Sequence, residues 1–178
     1  SEVEKIREDV KKLIEESKKL NRDILEEVRK MIERWRDTTR RIRERIRKLI
    51  EEAEEEIKRS TDEELIERIK KKIDDVLKEI EDLLRKTKEE ARKVLEDVER
   101  LLREDKRRND KALEDVERAG ASSEVLEEVK RLVEESKRES DEILKRVKKL
   151  VDDLARTDDK VLEDIKREVD RLKKELED

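Results

Sequence analysis

The amino-acid sequence predicts an all-α protein, an antiparallel up-down-up bundle of three long, nearly straight helices near residues 2–59, 62–118 and 123–177. Three observations carry that expectation. The 178 residues contain no proline and a single glycine, so a helix once begun has few places to stop. The helix-ending signals that do occur fall at two points only, near residues 60 and 120. Between those points the apolar residues recur at helical spacing along segments of nearly equal length.

The first helix opens with Ser1 and Glu4, the spacing of a capping box that satisfies orphan amide donors at a helix start. Its apolar stripe runs through positions 3, 6, 10, 14, 17, 21, 24, 28, 31, 35, 38, 42, 46, 49, 53 and 57. The mean step is about 3.6 residues, where a left-handed coiled coil needs about 3.5, so little supercoil is expected. Leu13, Leu20, Leu25, Ile32 and Ile50 widen the stripe to about three positions in seven, the width of a core-facing helix.

The second helix is announced by "KRSTDEEL", where Ser60 and Thr61 each precede a glutamate by three residues, Glu63 and Glu64. It ends at "ERAGASSEV". Gly120 can take the left-handed conformation of a helix C-terminus there, and Ser122 or Ser123 can cap the third helix. At 1.5 Å per residue each helix is about 85 Å long, against an average near 11 residues in globular proteins. Short loops between helices of equal length fold them back side by side, so residues 1–178 are expected to form a single rod-like domain.

Charged residues make up 60% of the chain and apolar ones 31%, a balance that in another arrangement would signal disorder. Here 51 Lys and Arg against 56 Asp and Glu nearly cancel, and they alternate in short runs such as "EEVKRLVEESKRES", the pattern of solvated helix faces. No basic cluster or set of stacking aromatics is available for nucleic acid. No apolar run approaches the length of a membrane span, and "SEVEKIREDV" lacks the apolar core of a signal peptide. A soluble protein with no targeting address is expected, as in the cytoplasm of an expression host. The absence of Cys and His removes disulfides, thiolate sites and the commonest metal ligand and proton shuttle.

The stripe is interrupted at chosen places. "LIEESKKLNRDILEEV" (13–28) aligns with "LVEESKRESDEILKRV" (132–147), so Ser17 matches Ser136 and Asn21 matches Ser140. "LLREDKRRNDKALEDV" (101–116) puts Asp105 and Asn109 at the same offsets. In antiparallel neighbours, residues at one level have numbers adding to about 122 across the first turn and about 244 across the second. Ser17, Asn21, Asp105, Asn109, Ser136 and Ser140 then fall in one slice. A second slice gathers Trp35, Thr38, Thr39, Thr87, Thr157 and Asp158. A lone Ser or Thr at a stripe edge can as readily bond its own i−4 carbonyl, but coincidence on three helices points to partners across the core. A buried, unpaired polar group costs about 1–3 kcal/mol, so two buried hydrogen-bond networks are predicted. Asp105 is the expected acceptor hub of the first, for the Asn21 or Asn109 amide and the serine hydroxyls; Asp158 or Thr87 is the expected acceptor for the Trp35 indole.

Catalysis finds no support in these residues. Asp105 and Asp158 are the only acids placed on the core stripe, and they belong to different slices, whereas two-carboxylate chemistry needs about 5–10 Å. A di-metal bundle site needs inward Glu and Glu-x-x-His motifs, which are missing. Amphipathic membrane binding would set a cationic face against aromatics, of which the chain has one. No catalytic, cofactor-binding or metal-binding residue is expected, and no cofactor.

With capping boxes from Ser1 to Glu4 and Ser60 to Glu63, a lone loop glycine in "AGASSE", the recurring phrases "VLEDVER", "ALEDVER" and "VLEDIKRE", and polar slices, the whole chain resembles computationally designed helical bundles with buried hydrogen-bond networks. Spectrin-like repeats are similar in topology but have shorter helices and an aromatic-bearing core. The resemblance implies a monomeric, very stable scaffold with no substrate and no required partner. The alternative is an interaction module: one chain of a homo- or hetero-oligomer, or a cage that accepts another designed helical chain. Such a role would need apolar width beyond the stripe, for which Leu20, Leu65, Leu77 and Leu113 are the lateral candidates.

Overall fold

The computed structural model describes residues 1–60 and 62–177. Helix α1 spans Glu2–Arg59, α2 spans Glu63–Arg118 and α3 spans Ser123–Glu177, and no strand occurs among the described residues.

Local chemistry sets each boundary. The Ser1 hydroxyl accepts the Glu4 amide at 3.3 Å, and its carbonyl accepts Lys5 at 3.2 Å. The second helix begins one residue later than the sequence predicts, because Asp62 is its cap. The Asp62 carbonyl accepts the Ile66 amide at 3.1 Å, and its Oδ1 accepts that of Glu64 at 3.4 Å. A carboxylate at this position also meets the positive end of the helix dipole, an advantage a serine lacks. Ser60, expected to cap Glu63, instead accepts the Asp62 amide at 3.3 Å. Thr61, expected to pair with Glu64, lies outside the described residues.

At the second turn Gly120 has φ +70°, and its amide donates to the Glu117 carbonyl at 3.2 Å. Of the two candidate serines, Ser122 is the cap. Its hydroxyl accepts the Val125 amide at 3.3 Å and its carbonyl that of Leu126 at 2.9 Å, which leaves Ser123 inside the helix.

The packing divides into two compact units, each taking a segment from every helix. The first comprises Ser1–Lys30 and Arg92–Val151, the second Met31–Ala91 and Asp152–Asp178. In the second unit Arg34, Arg45 and Glu52 of α1 pair with Glu90, Glu79 and Lys72 of α2. Advance along α1 is matched residue for residue by retreat along α2, so these segments are antiparallel. Lys70, Asp74, Glu81 and Lys88 of α2 meet Glu177, Lys173, Lys166 and Asp159 of α3 in the same opposed order. In the first unit Lys106 and Asp110 pair with Asp141 and Lys137, again antiparallel.

The apolar stripes fill each unit. In the second, Ile42, Ile46, Ile73, Ile80, Val161 and Ile165 are buried among one another. In the first, Val10, Ile14, Val116, Val129 and Val133 form a cluster. Each such side chain contributes about 1.5–3 kcal/mol by leaving water. The lateral Leu65 and Leu77 pack partly buried against the second unit's core, and Leu113 against the first unit's cluster.

Candidate functional site

Among the described residues, the buried polar side chains are Ser17, Asn21, Thr39, Asp105, Asn109, Ser136, Ser140 and Asp158. Everything else in the core is aliphatic apart from Met31. The first unit holds six of these residues, two from each helix, between the apolar turns marked by Ile14 and Ile24 on α1.

Hydrogen bonds cross that level from helix to helix. The Ser17 hydroxyl lies 3.0 Å from Asp105 Oδ1, 3.1 Å from the Leu13 carbonyl and 3.5 Å from Asn109 Oδ1. The Asn109 amide nitrogen reaches Ser17 Oγ at 3.4 Å and Ser136 Oγ at 3.1 Å. A hydroxyl has one proton and an amide two. The short contact assigns the Ser17 proton to Asp105, and Asn109 donates to α1 and α3 at once. Asn109 is therefore the residue joining three helices, and Asp105 is a terminal acceptor instead of the expected hub. Geometry decides this: Asn109 carries donors on a side chain with no exposure, whereas a carboxylate can only accept. The Arg108 guanidinium approaches Asp105 Oδ1 from the rim at 3.5 Å. Three atoms at this level, Asn21 Oδ1, Asp105 Oδ2 and Ser140 Oγ, are buried without a hydrogen-bond partner.

The second unit centres on Asp158. The Trp35 indole N–H donates to its Oδ1 at 2.6 Å, and Thr87 Oγ1 lies 2.7 Å from its Oδ2 and 2.8 Å from the Leu84 carbonyl. Burial raises the Asp158 pKa above the ordinary aspartate value, opposed by the Thr87 and Trp35 hydrogen bonds and by the nearby Lys88 charge. Thr39 is buried, but its hydroxyl has no partner. Thr38 is only partly buried and takes no part in these bonds. Thr157 departs from the expected set: it is exposed and donates to the Asp153 carbonyl of its own helix at 2.8 Å. Adjacent helical residues point about 100° apart, so with Asp158 turned inward its neighbour faces water.

Ion pairs flank both levels. Lys88 with Asp159 lies beside the Asp158 site, and Lys106 with Asp141 and Lys137 with Asp110 lie beside Asn109. Residue spacing does not single out these rim pairs, because charged residues at every turn offer too many combinations. Among the described residues, no group of three His, Cys, Asp or Glu is arranged to hold a metal ion. Nor is any helix among them long and apolar enough to cross a membrane.

Comparison with known proteins gives a likeness of fold. No protein-family model and no curated protein matches the chain. Among solved structures, a computationally designed three helix bundle matches with a TM-score of 0.72 and 22% sequence identity, over 98% of this chain and 88% of that one.

Proposed function

We propose that this chain is a de novo designed structural scaffold, without substrate or cofactor, whose two buried polar levels select helix register and pairing. The observation that carries the reading is the grouping of buried polar side chains: six lie together in the first unit and centre on Asn109, and Thr39 and Asp158 lie in the second. An aliphatic core alone would tolerate a slip of one helical turn. Such a slip would separate Asn109 from Ser17 and Ser136, leaving groups that cost about 1–3 kcal/mol each. The recurring surface phrases and single turn glycine agree with a designed origin, and the solved bundle of similar fold is itself a design.

The test removes the first level. Ser17, Asp105, Asn109 and Ser136 are replaced together by aliphatic residues of matching size, and the variant is compared with the parent by light scattering and amide NMR. The expected result is a fold of equal or greater stability that shows more than one mass or more than one set of resonances. A single species with a single set of resonances would remove the register role.

A further inference from the structure

Three oxygens of the first level, one from each helix, have no partner in the protein: Asn21 Oδ1 on α1, Asp105 Oδ2 on α2 and Ser140 Oγ on α3. Their residues are 7%, 1% and 1% exposed, so bulk solvent does not satisfy them. Folded proteins leave few buried polar atoms in that state, because each costs about 1–3 kcal/mol.

The register of the helices gathers the three. Asn109 donates to Ser136 at 3.1 Å across α2 and α3, so one turn along the same antiparallel pair Asp105 comes level with Ser140. The ion pairs of Lys106 with Asp141 and of Lys137 with Asp110 hold that register at the rim. Across α1 and α2 the Ser17 hydroxyl lies 3.0 Å from Asp105 Oδ1, which leaves Oδ2 for a further partner. Asn21 follows Ser17 by one turn on the same face of α1. With Glu139, Glu142 and Ile143, the neighbours of Ser140 on α3, it lines a cavity of about 310 Å³. None of the three oxygens bonds another directly, which is the situation a bridging water resolves.

Proton counting identifies the bridge. A carboxylate oxygen and an amide oxygen can only accept, whereas the Ser140 hydroxyl has a proton to give. A molecule with two donor protons and a free lone pair meets all three needs. We propose that the first level is a binding site for one buried water molecule, which donates to Asp105 Oδ2 and Asn21 Oδ1 and accepts from the Ser140 hydroxyl. About three hydrogen bonds is the usual number for such a water. A metal or ammonium cation suits the two acceptors but gives the serine proton no taker. The cavity at Asn21 supplies the route by which the water exchanges with solvent. Leucine at Asp105 releases this water instead of stranding it, and the Ser140 hydroxyl then turns to the carbonyl four residues back on its own helix. The site is independent of whether the polar levels select register.

A crystal structure of the whole chain, at a resolution that defines ordered water, reads the site directly. A density peak about 2.6–3.2 Å from all three oxygens is expected. Contacts near about 2.4 Å, the length of hard-cation coordination, would mark a metal ion and overturn the proposal. So would a direct bond between Asp105 and Ser140 with no peak between them. In solution, oxygen-17 magnetic relaxation dispersion counts the waters that stay bound longer than the protein takes to tumble. Ser140→Val removes the hydroxyl and fills its space, and the dispersion should fall by about one water per chain. Asn21→Leu should lose the same amount, and it carries the test alone if Ser140→Val does not fold, as circular dichroism will show. A parent with no long-lived water, or an amplitude unchanged in either folded variant, would overturn the proposal.

Discussion

Two donors from different helices converge on the Asp158 carboxylate, and the proton count around it sets how the second level responds to pH. The Thr87 hydroxyl has one proton and two acceptors in reach, Asp158 Oδ2 and the Leu84 carbonyl. A protonated Asp158 donates to Thr87 Oγ1 and frees the threonine proton for Leu84, while its other oxygen still accepts from Trp35. Burial raises the Asp158 pKa in the folded chain, so its contribution to stability is complete below the ordinary aspartate range and is lost as pH rises through the raised value. Asn at this position keeps the acceptor for Trp35 and the donor for Thr87 without titrating. Urea unfolding of Asp158→Asn and parent from pH 3 to 8 should show the variant gaining relative stability as pH rises across that window; a constant difference would contradict the assignment. The first level gives a second contrast at this scale. Asn109→Leu strands Ser136 and should cost about 1–3 kcal/mol, whereas Asp105→Leu also removes an unpartnered buried oxygen and should cost less than Asn109→Leu, as measured by denaturant midpoints. Sequence spacing reveals the level of each of these residues because helical rise is fixed. It does not reveal which of Thr38 and Thr39 turns inward, or that Thr157 turns out, because adjacent positions straddle the stripe edge and neighbouring helices decide between them.

The helix ends show the same division between what spacing determines and what competition determines. Gly120 is legible because a single glycine in a proline-free chain leaves no other residue suited to φ +70°. The start of α2 is legible only to within a residue or two, because Ser60, Thr61 and Asp62 are all good caps and their rivalry is settled by fine loop geometry. That rivalry makes a testable ordering. Asp62→Ala removes the side-chain acceptor of the Glu64 amide and should cost about 1 kcal/mol, and Ser122→Ala, which loses the acceptor of Val125, about the same. Ser60→Ala breaks only a turn contact and should cost less. Thermal midpoints of the three variants would expose an error if Ser60→Ala proved the most damaging. Gly120→Ala meets no atom within 4 Å of its new Cβ, so its cost is backbone strain alone, about 1 kcal/mol.

For the molecule as a whole, the question is whether any apolar surface is left to recruit another copy. Among the described residues, Leu83 and Leu150 are the exposed large hydrophobic ones, at 38% and 36%, and scattered residues of that kind are normal on a monomer. The exposed faces are covered by charges of both signs, with a net charge of −5, and this favours separate chains. The stability that follows comes from the aliphatic stripes, because the ion pairs are mostly exposed and each contributes no more than about 1 kcal/mol. Stripe periodicity makes that core readable in the sequence: apart from Thr39, the fully buried positions of α1 lie on the predicted stripe. Charge pairing is unreadable for the opposite reason, since an exposed charge has several partners of nearly equal energy. Two measurements on one sample join these points. Light scattering coupled to size exclusion should give a mass near 21.6 kDa. Thermal unfolding should lie above about 90 °C, as for idealised helical backbones, and should change little between low salt and 1 M salt. A midpoint that collapses in high salt would mean that the surface charges, and not the aliphatic stripes, hold the helices together. A mass of two chains that persists on dilution would mean that part of the core is completed between copies.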